Sequence, residues 1–268
     1  MQNRNVLITT HHDAFLYPRG GEIEMKIIHD LLNKYDINTK FYSHIELSEK
    51  KFDVIIHFSV HNNGYELLRK LKNLNKRIIL YPNLWWNDSI NENEINNAKK
   101  FFDLSNLIIF KSSAEFNNVS KKINLKNYIT KIIYPFVKDD FEKKVDHKKF
   151  KFIYDLDQFI LSIGVIEKNK NQLNLIKSFK KLNRPNLKLV IIGEHIDKDY
   201  FEECKLSANE NVIFLPQMNH ASDIQIAAIQ SCDLYVELSN EPAGLSALEV
   251  AKCEKKIQWH AKNDQFQC

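Results

Sequence analysis

Cysteine is scarce and poorly spaced for chemistry. The four are Cys204, Cys232, Cys253 and Cys268, and no two of them make a C-x-x-C pair. That excludes the common short metal and redox motifs and fits reduced thiols in a cytosolic protein. No apolar run approaches the ~20 residues that a membrane-spanning helix needs. The start has one short apolar stretch, Val6-Leu7-Ile8, and then polar residues, unlike a secretory leader. Charge of one sign is not in excess. The formal net charge is +4, with lysines and acids interspersed, which is too mild for a nucleic-acid surface. It suits either a solvated Lys/Asn-rich face or weak attraction to an anionic membrane or a phosphorylated substrate. Also missing are G-x-G-x-x-G, the Walker loop and G-x-S-x-G, which sets aside the common dinucleotide, NTPase and hydrolase readings.

What is present is an alternation of short apolar runs with longer helix-like segments. The 268 residues allow one large or two modest domains. The runs Val6-Leu7-Ile8-Thr9, Asp53 to Phe58, Arg77 to Tyr81, Leu107 to Phe110 and Ile132-Ile133-Tyr134 read as strands. A turn at Pro18-Arg19-Gly20-Gly21 precedes a helix from Glu22, and Tyr65 to Leu74 reads as a second helix. The rhythm breaks between Pro135 and Asp157, which is charged and poorly periodic. It then resumes with strands at Phe159 to Ile163, Leu187 to Ile192, Val212 to Leu215 and Leu234 to Leu238, and helices at Gln172 to Leu182 and Ala221 to Gln230. Strands apolar on both faces and alternating with helices imply parallel sheets covered on both sides. The expected fold is α/β, with two Rossmann-like domains. Residues 1–138 form the first, 139–156 a linker, and 157–268 the second. Ligands of such sheets bind beyond the carboxyl ends of the strands, and a gap between two such domains is the default active site.

The most informative segment is Ser239-Asn240-Glu241-Pro242-Ala243-Gly244-Leu245-Ser246-Ala247-Leu248-Glu249. It follows a buried strand and opens a helix. Pro242 and Gly244 favour a turn there. Free N–H groups near Gly244 and Leu245 would suit a phosphate, through donors and helix dipole together. Glu249 would lie early in the helix, where its carboxylate can accept two ribose hydroxyls. Glu241 would sit before the helix, nearer the reacting sugar. The plain alternative is a surface helix with two solvated acids.

The run E-P-A-G-L-S-A-L-E resembles the E-x7-E signature of the retaining GT-B glycosyltransferases of group 1 (family 4), which include sucrose synthases and bacterial polysaccharide glycosyltransferases. Gly20-Gly21-Glu22 is similar to that family's first glycine-rich loop, and Ile133 to Val137 to the segment leaving its first domain. Ile163 to Gln172, which contains Gly164, is similar to the strand and loop that open the donor domain. The strand Val212 to Leu215 is similar to the one beside the nucleotide base. The resemblance implies a GT-B fold and transfer of a sugar, with retention, from a nucleotide diphosphate donor of UDP or GDP type. The acceptor would be a glycan or a lipid-linked glycan, in cell-surface polysaccharide or lipopolysaccharide assembly. It implies a cytoplasmic protein at the inner face of the membrane with peripheral membrane contact, no cofactor and no essential metal. By the same resemblance Lys170 neutralises the donor diphosphate and Glu241 holds sugar hydroxyls. Glu249 holds the ribose, while Gly21, Gly164, Gly244 and Leu245 line the donor. Two departures stand out. Val165 occupies the place of the family's arginine, and the chain stops at Cys268 before the strands and helices with which the family continues. A truncated chain is therefore expected, with an inactive remnant that binds a nucleotide or partner as the alternative.

Other candidates carry less. His11-His12-Asp13 follows the first strand, but adjacent residues of an extended segment point apart, so ordinary loop residues are expected rather than a metal site. His57 and His61 follow the second strand, and one of them could touch an acceptor sugar, as a histidine in this part of the family does. Both also fit a structural role. Trp85-Trp86 could stack on an acceptor or pack in the core.

Overall fold

Strands whose side chains are apolar on both faces need cover on both sides, and the chain supplies such cover twice. The structure is a computed structural model that describes residues 5–16, 20–43, 52–87, 89–239, 241 and 244–259. Pro18-Arg19, Asn240, Pro242-Ala243 and Cys268, which figure in the expectations above, lie outside the described residues. The chain divides into two units, Met1–Phe136 and Val137–Asp264.

The first unit runs β1 (Asn5–Thr9), α1 (Gly20–Lys34), β2 (Asn38–Phe41), β3 (Val54–Phe58), α2 (Asn62–Asn73), β4 (Arg77–Tyr81), α3 (Glu92–Leu104), β5 (Leu107–Phe110), α4 (Ser113–Ser120) and β6 (Thr130–Ile132). Its six strands are parallel in the order β2-β1-β3-β4-β5-β6. The period of two sorts the side chains. Leu7, Ile55, Ile78 and Ile108 face Leu68 and Leu71 of α2 and Phe101 and Phe102 of α3. Val6, Ile8, Ile56 and Ile109 face Met25 and Ile28 of α1. Burying each such side chain stabilises the fold by ~1.5–3 kcal/mol. A capping box between Asn91 and Glu94 starts α3. The last strand of this unit lies two residues earlier than expected. Ile133 N–H still donates to Phe110 O at 2.9 Å, but β6 is a sheet edge, and Ile132, Ile133 and Tyr134 are exposed there.

The second unit runs α5 (His147–Ile153), β7 (Gln158–Ile163), a 3-10 turn (Lys168–Lys170), α6 (Gln172–Lys181), β8 (Leu187–Ile192), α7 (Lys198–Ser207), β9 (Val212–Leu215), α8 (Asp223–Ser231), β10 (Leu234–Glu237), α9 (Leu245–Lys252) and β11 (Ile257–Trp259). The sheet is again parallel, in the order β11-β10-β7-β8-β9. Phe159, Leu161, Val190 and Tyr235 face α8 and α9. Ile160, Leu189, Ile191 and Val236 face α6 and α7. Residues 139–156, expected as a linker, are folded into this unit. Phe141 and Phe150 are fully buried in its core, with Leu156 beside them. Three apolar anchors spread through a charged stretch leave no periodicity to read. The two Rossmann-like halves of the α/β fold are as expected.

Candidate functional site

The carboxyl ends of β7, β8 and β10 carry the loops of interest. Gly164 follows β7 with φ +155, a conformation L side chains rarely adopt. Gly193 follows β8 so closely that a Cβ there would stand 1.9 Å from the Gly164 carbonyl oxygen. Only glycine lets these two loops cross. The chain then makes the turn that holds Lys170, and Asn171, left-handed with φ 61, starts α6. Asn171 Nδ2 donates to Leu238 O at 3.2 Å, which ties this loop to the one after β10.

Across that tie, Lys170 Nζ meets Glu241 Oε2 at 2.7 Å. The Glu241 amide donates to Ser239 Oγ at 3.1 Å, which fixes the residue before α9. Burial disfavours the Lys170 ammonium, but the carboxylates of Glu241, Glu237 and Glu167 outweigh it, and its pKa is raised. The cation expected at a diphosphate and the acid expected at the sugar are therefore direct partners.

Gly244 caps α9 without a side-chain hydrogen bond. The Glu237 carboxylate stands close to it: a Cβ on Gly244 would lie 3.6 Å from Glu237 Oε1. A buried carboxylate at the end of β10 therefore stands against the start of α9, whose first residue is Leu245. Glu249 is buried in α9 and pairs with His220 Nε2 at 2.6 Å. His220 comes from the loop between β9 and α8. The sequence reading missed Glu237 and His220. The available signal for Glu237 was an acid ending an apolar strand.

In the first unit the candidates separate. His57 is 1% exposed, with its ring engaged inside the unit. Its Nδ1 lies 2.7 Å from Thr9 Oγ1, and its ring stacks on Phe101 with centroids 5.7 Å apart. Burial, with a smaller effect of His11, brings its pKa down to about 3, so it is neutral. His61 is exposed at the start of α2 and meets the His11 ring edge-on, with centroids 4.6 Å apart. Burial and His61 lower the pKa of His11. Trp85 is half-buried, whereas Trp86 packs in the core and exchanges hydrogen bonds with the Asn118 side chain. Gly21 lies in the first turn of α1, against Asn83. Among the described residues no group of three or more His, Cys, Asp or Glu is placed to hold a metal, and no helix is long and apolar enough to cross a membrane.

A profile of the family described as Glycosyl transferases group 1 matches residues 143–257. A 4-hydroxy-tetrahydrodipicolinate reductase of Pelagibacter ubique (strain HTCC1062) is 31% identical over 202 residues, 70% of this chain and 68% of that protein. An N-acetylgalactosamine-N,N'-diacetylbacillosaminyl-diphospho-undecaprenol 4-alpha-N-acetylgalactosaminyltransferase of Campylobacter jejuni is 32% identical over 95 residues, 35% of this chain and 25% of that protein. Among solved structures, Anabaena HepE in complex with UDP and glucose superposes with a TM-score of 0.75 at 15% identity, over 95% of this chain and 80% of that one. Sucrose-phosphate synthase from Thermosynechococcus elongatus gives 0.77 at 12%, over 96% and 81%. At these identities the structural likeness is one of fold.

Proposed function

We propose, for a chain of GT-B fold whose residues 143–257 belong to the glycosyl transferases group 1, that it moves a sugar from a nucleoside diphosphate donor to a glycan or lipid-linked acceptor, with retention. The donor is of UDP type, a choice supported by the UDP-bound HepE structure, with GDP as the alternative. The lipid-linked acceptor is supported by the Campylobacter relative, whose name includes diphospho-undecaprenol. The work is cell-surface glycan assembly at the cytoplasmic face of a membrane, which the protein touches peripherally.

The observation that carries the site is the Lys170–Glu241 pair, which stands at the strand ends beside the start of α9. A donor diphosphate takes Lys170 away from Glu241 and lies against the amides that begin at Leu245. That frees the Glu241 carboxylate for hydroxyls of the donor sugar, while Glu249 accepts from the ribose. The bond from the anomeric carbon to the diphosphate breaks, and its electron pair goes to the diphosphate. The acceptor hydroxyl attacks from the same face, and its proton passes to a leaving oxygen. Lys170 and the helix start stabilise charge where it develops. His61 and Trp85 serve the acceptor, and Gly164 leaves room for the donor.

The name of the Pelagibacter relative favours a second reading, reduction of a small molecule. That reading requires a hydride donor, and the sequence has no G-x-G-x-x-G run for a dinucleotide. Calorimetric titration of UDP, GDP, UDP-glucose and NADPH separates the two. One nucleoside diphosphate should bind, more weakly to Glu249→Ala. Binding of NADPH alone would replace the transferase reading. Nucleotide binding with no sugar transfer to any acceptor would favour the non-catalytic alternative.

A further inference from the structure

Glu237 ends β10 at 8% exposure, in a place where an acid is costly unless its oxygens are occupied. The hydroxyl of fully buried Tyr235 donates to Oε2 at 3.1 Å. Gly244, the residue that caps α9, lies beside the other oxygen: a Cβ on it would stand 3.6 Å from Oε1. Burial pushes the Glu237 pKa up, and the Lys170 ammonium is the first of the groups that oppose it. The same residue therefore faces the two elements assigned above to the diphosphate.

We propose that Glu237 is a positioning residue of the donor site, whose buried carboxylate, held by Tyr235, braces the start of α9 at Gly244 and sets the charge around Lys170. It acts through these groups and does not touch the donor. A carboxylate at a helix N-terminus also suits the helix dipole. Tyr235 is the outer support: its hydroxyl points to Ile163 O at 3.4 Å as well as to Glu237. The chain thus links β7, β10 and α9 through one acid.

This inference rests on the donor site proposed above. The test titrates UDP and uridine into the natural chain, Glu237→Gln and Tyr235→Phe. Uridine reports the ribose and base contacts alone, and UDP adds the diphosphate. Glu237→Gln should bind UDP about tenfold more weakly, equivalent to ~1.4 kcal/mol, with uridine affinity within about twofold of the natural value. Tyr235→Phe should show the same selective loss, but smaller, and carries the test if Glu237→Gln fails to fold. Unchanged or tighter UDP binding would overturn the assignment, since it would make Glu237 a bystander or a repelling charge. Equal losses for UDP and uridine would also overturn it, as the mark of general damage. Failure of the natural chain to bind UDP would remove the donor site, and this inference with it.

Discussion

His220 Nε2 and Glu249 Oε1 lie 2.6 Å apart although 29 residues separate them in the chain. The pair joins the loop before α8 to the interior side of α9, and the acid is only 3% exposed at its side chain. An acid buried there without a partner would be costly. With the partner in place, Glu249 is held in one orientation before any ribose arrives.

Truncating the histidine should therefore matter in two ways. His220→Ala is expected to lower stability by ~1–3 kcal/mol, the cost of leaving a buried acceptor unmade. It should also weaken UDP through the disordered acid. Urea denaturation and calorimetry on the same variant check both. A variant as stable as the natural chain would show that the pair is incidental.

The buried imidazole of His57 predicts a pH dependence. Its pKa is about 3 in the folded protein and ordinarily near 6.5. Below pH ~6.5 the unfolded chain takes up a proton that the folded chain refuses. The contribution is complete above that pH and falls away as pH drops towards 3. Between pH 7 and 5 the loss should be about 2 kcal/mol from this group. His57→Asn, which can still meet Thr9, should lose correspondingly less over the same interval. Parallel stability-against-pH curves for the two proteins would refute the buried neutral histidine.

Two glycines should respond oppositely to alanine. At Gly193 the added Cβ would meet the Gly164 carbonyl at 1.9 Å, so the crossing loops must move. A cost of roughly 1–3 kcal/mol or more is expected, together with loss of UDP affinity. At Gly21 the nearest atom is Asn83 Nδ2 at 3.5 Å, an ordinary contact. Alanine is also a better helix former than glycine by ~1 kcal/mol. Gly21→Ala should therefore fold at least as well as the natural chain. Any loss of sugar transfer in it would then report on the site rather than on the fold. Thermal midpoints and transfer rates of both variants decide.

Most of the fold was legible because long apolar runs announce central strands. The run from Leu187 to Ile192 reads the same in isolation as in the sheet. The edge strand β2 was not legible: only Thr39 of its four residues is buried, so no pattern stands out from a loop. Nor was α5, where Phe150 alone of the seven residues is fully buried. The acid pair of the site was legible as a motif, because local turn chemistry brings Glu241 and Gly244 to a helix start. Its partners were not. Glu237 and His220 owe their roles to contacts across separate elements, which spacing does not encode. His57 was legible only as a choice between an acceptor contact and a structural role. Its place became clear only with the sheet order, since β3 lies between β1 and β4 and is covered on both faces.

The charge on Lys170 is the most direct test of the donor site. Titrating UDP and uridine into Lys170→Met and the natural chain should show UDP weakened by about ten- to a hundredfold, the cost of one lost charge-assisted contact, with uridine unaffected. Equal affinity of the two proteins for UDP would contradict the proposal that this lysine leaves Glu241 to hold a diphosphate.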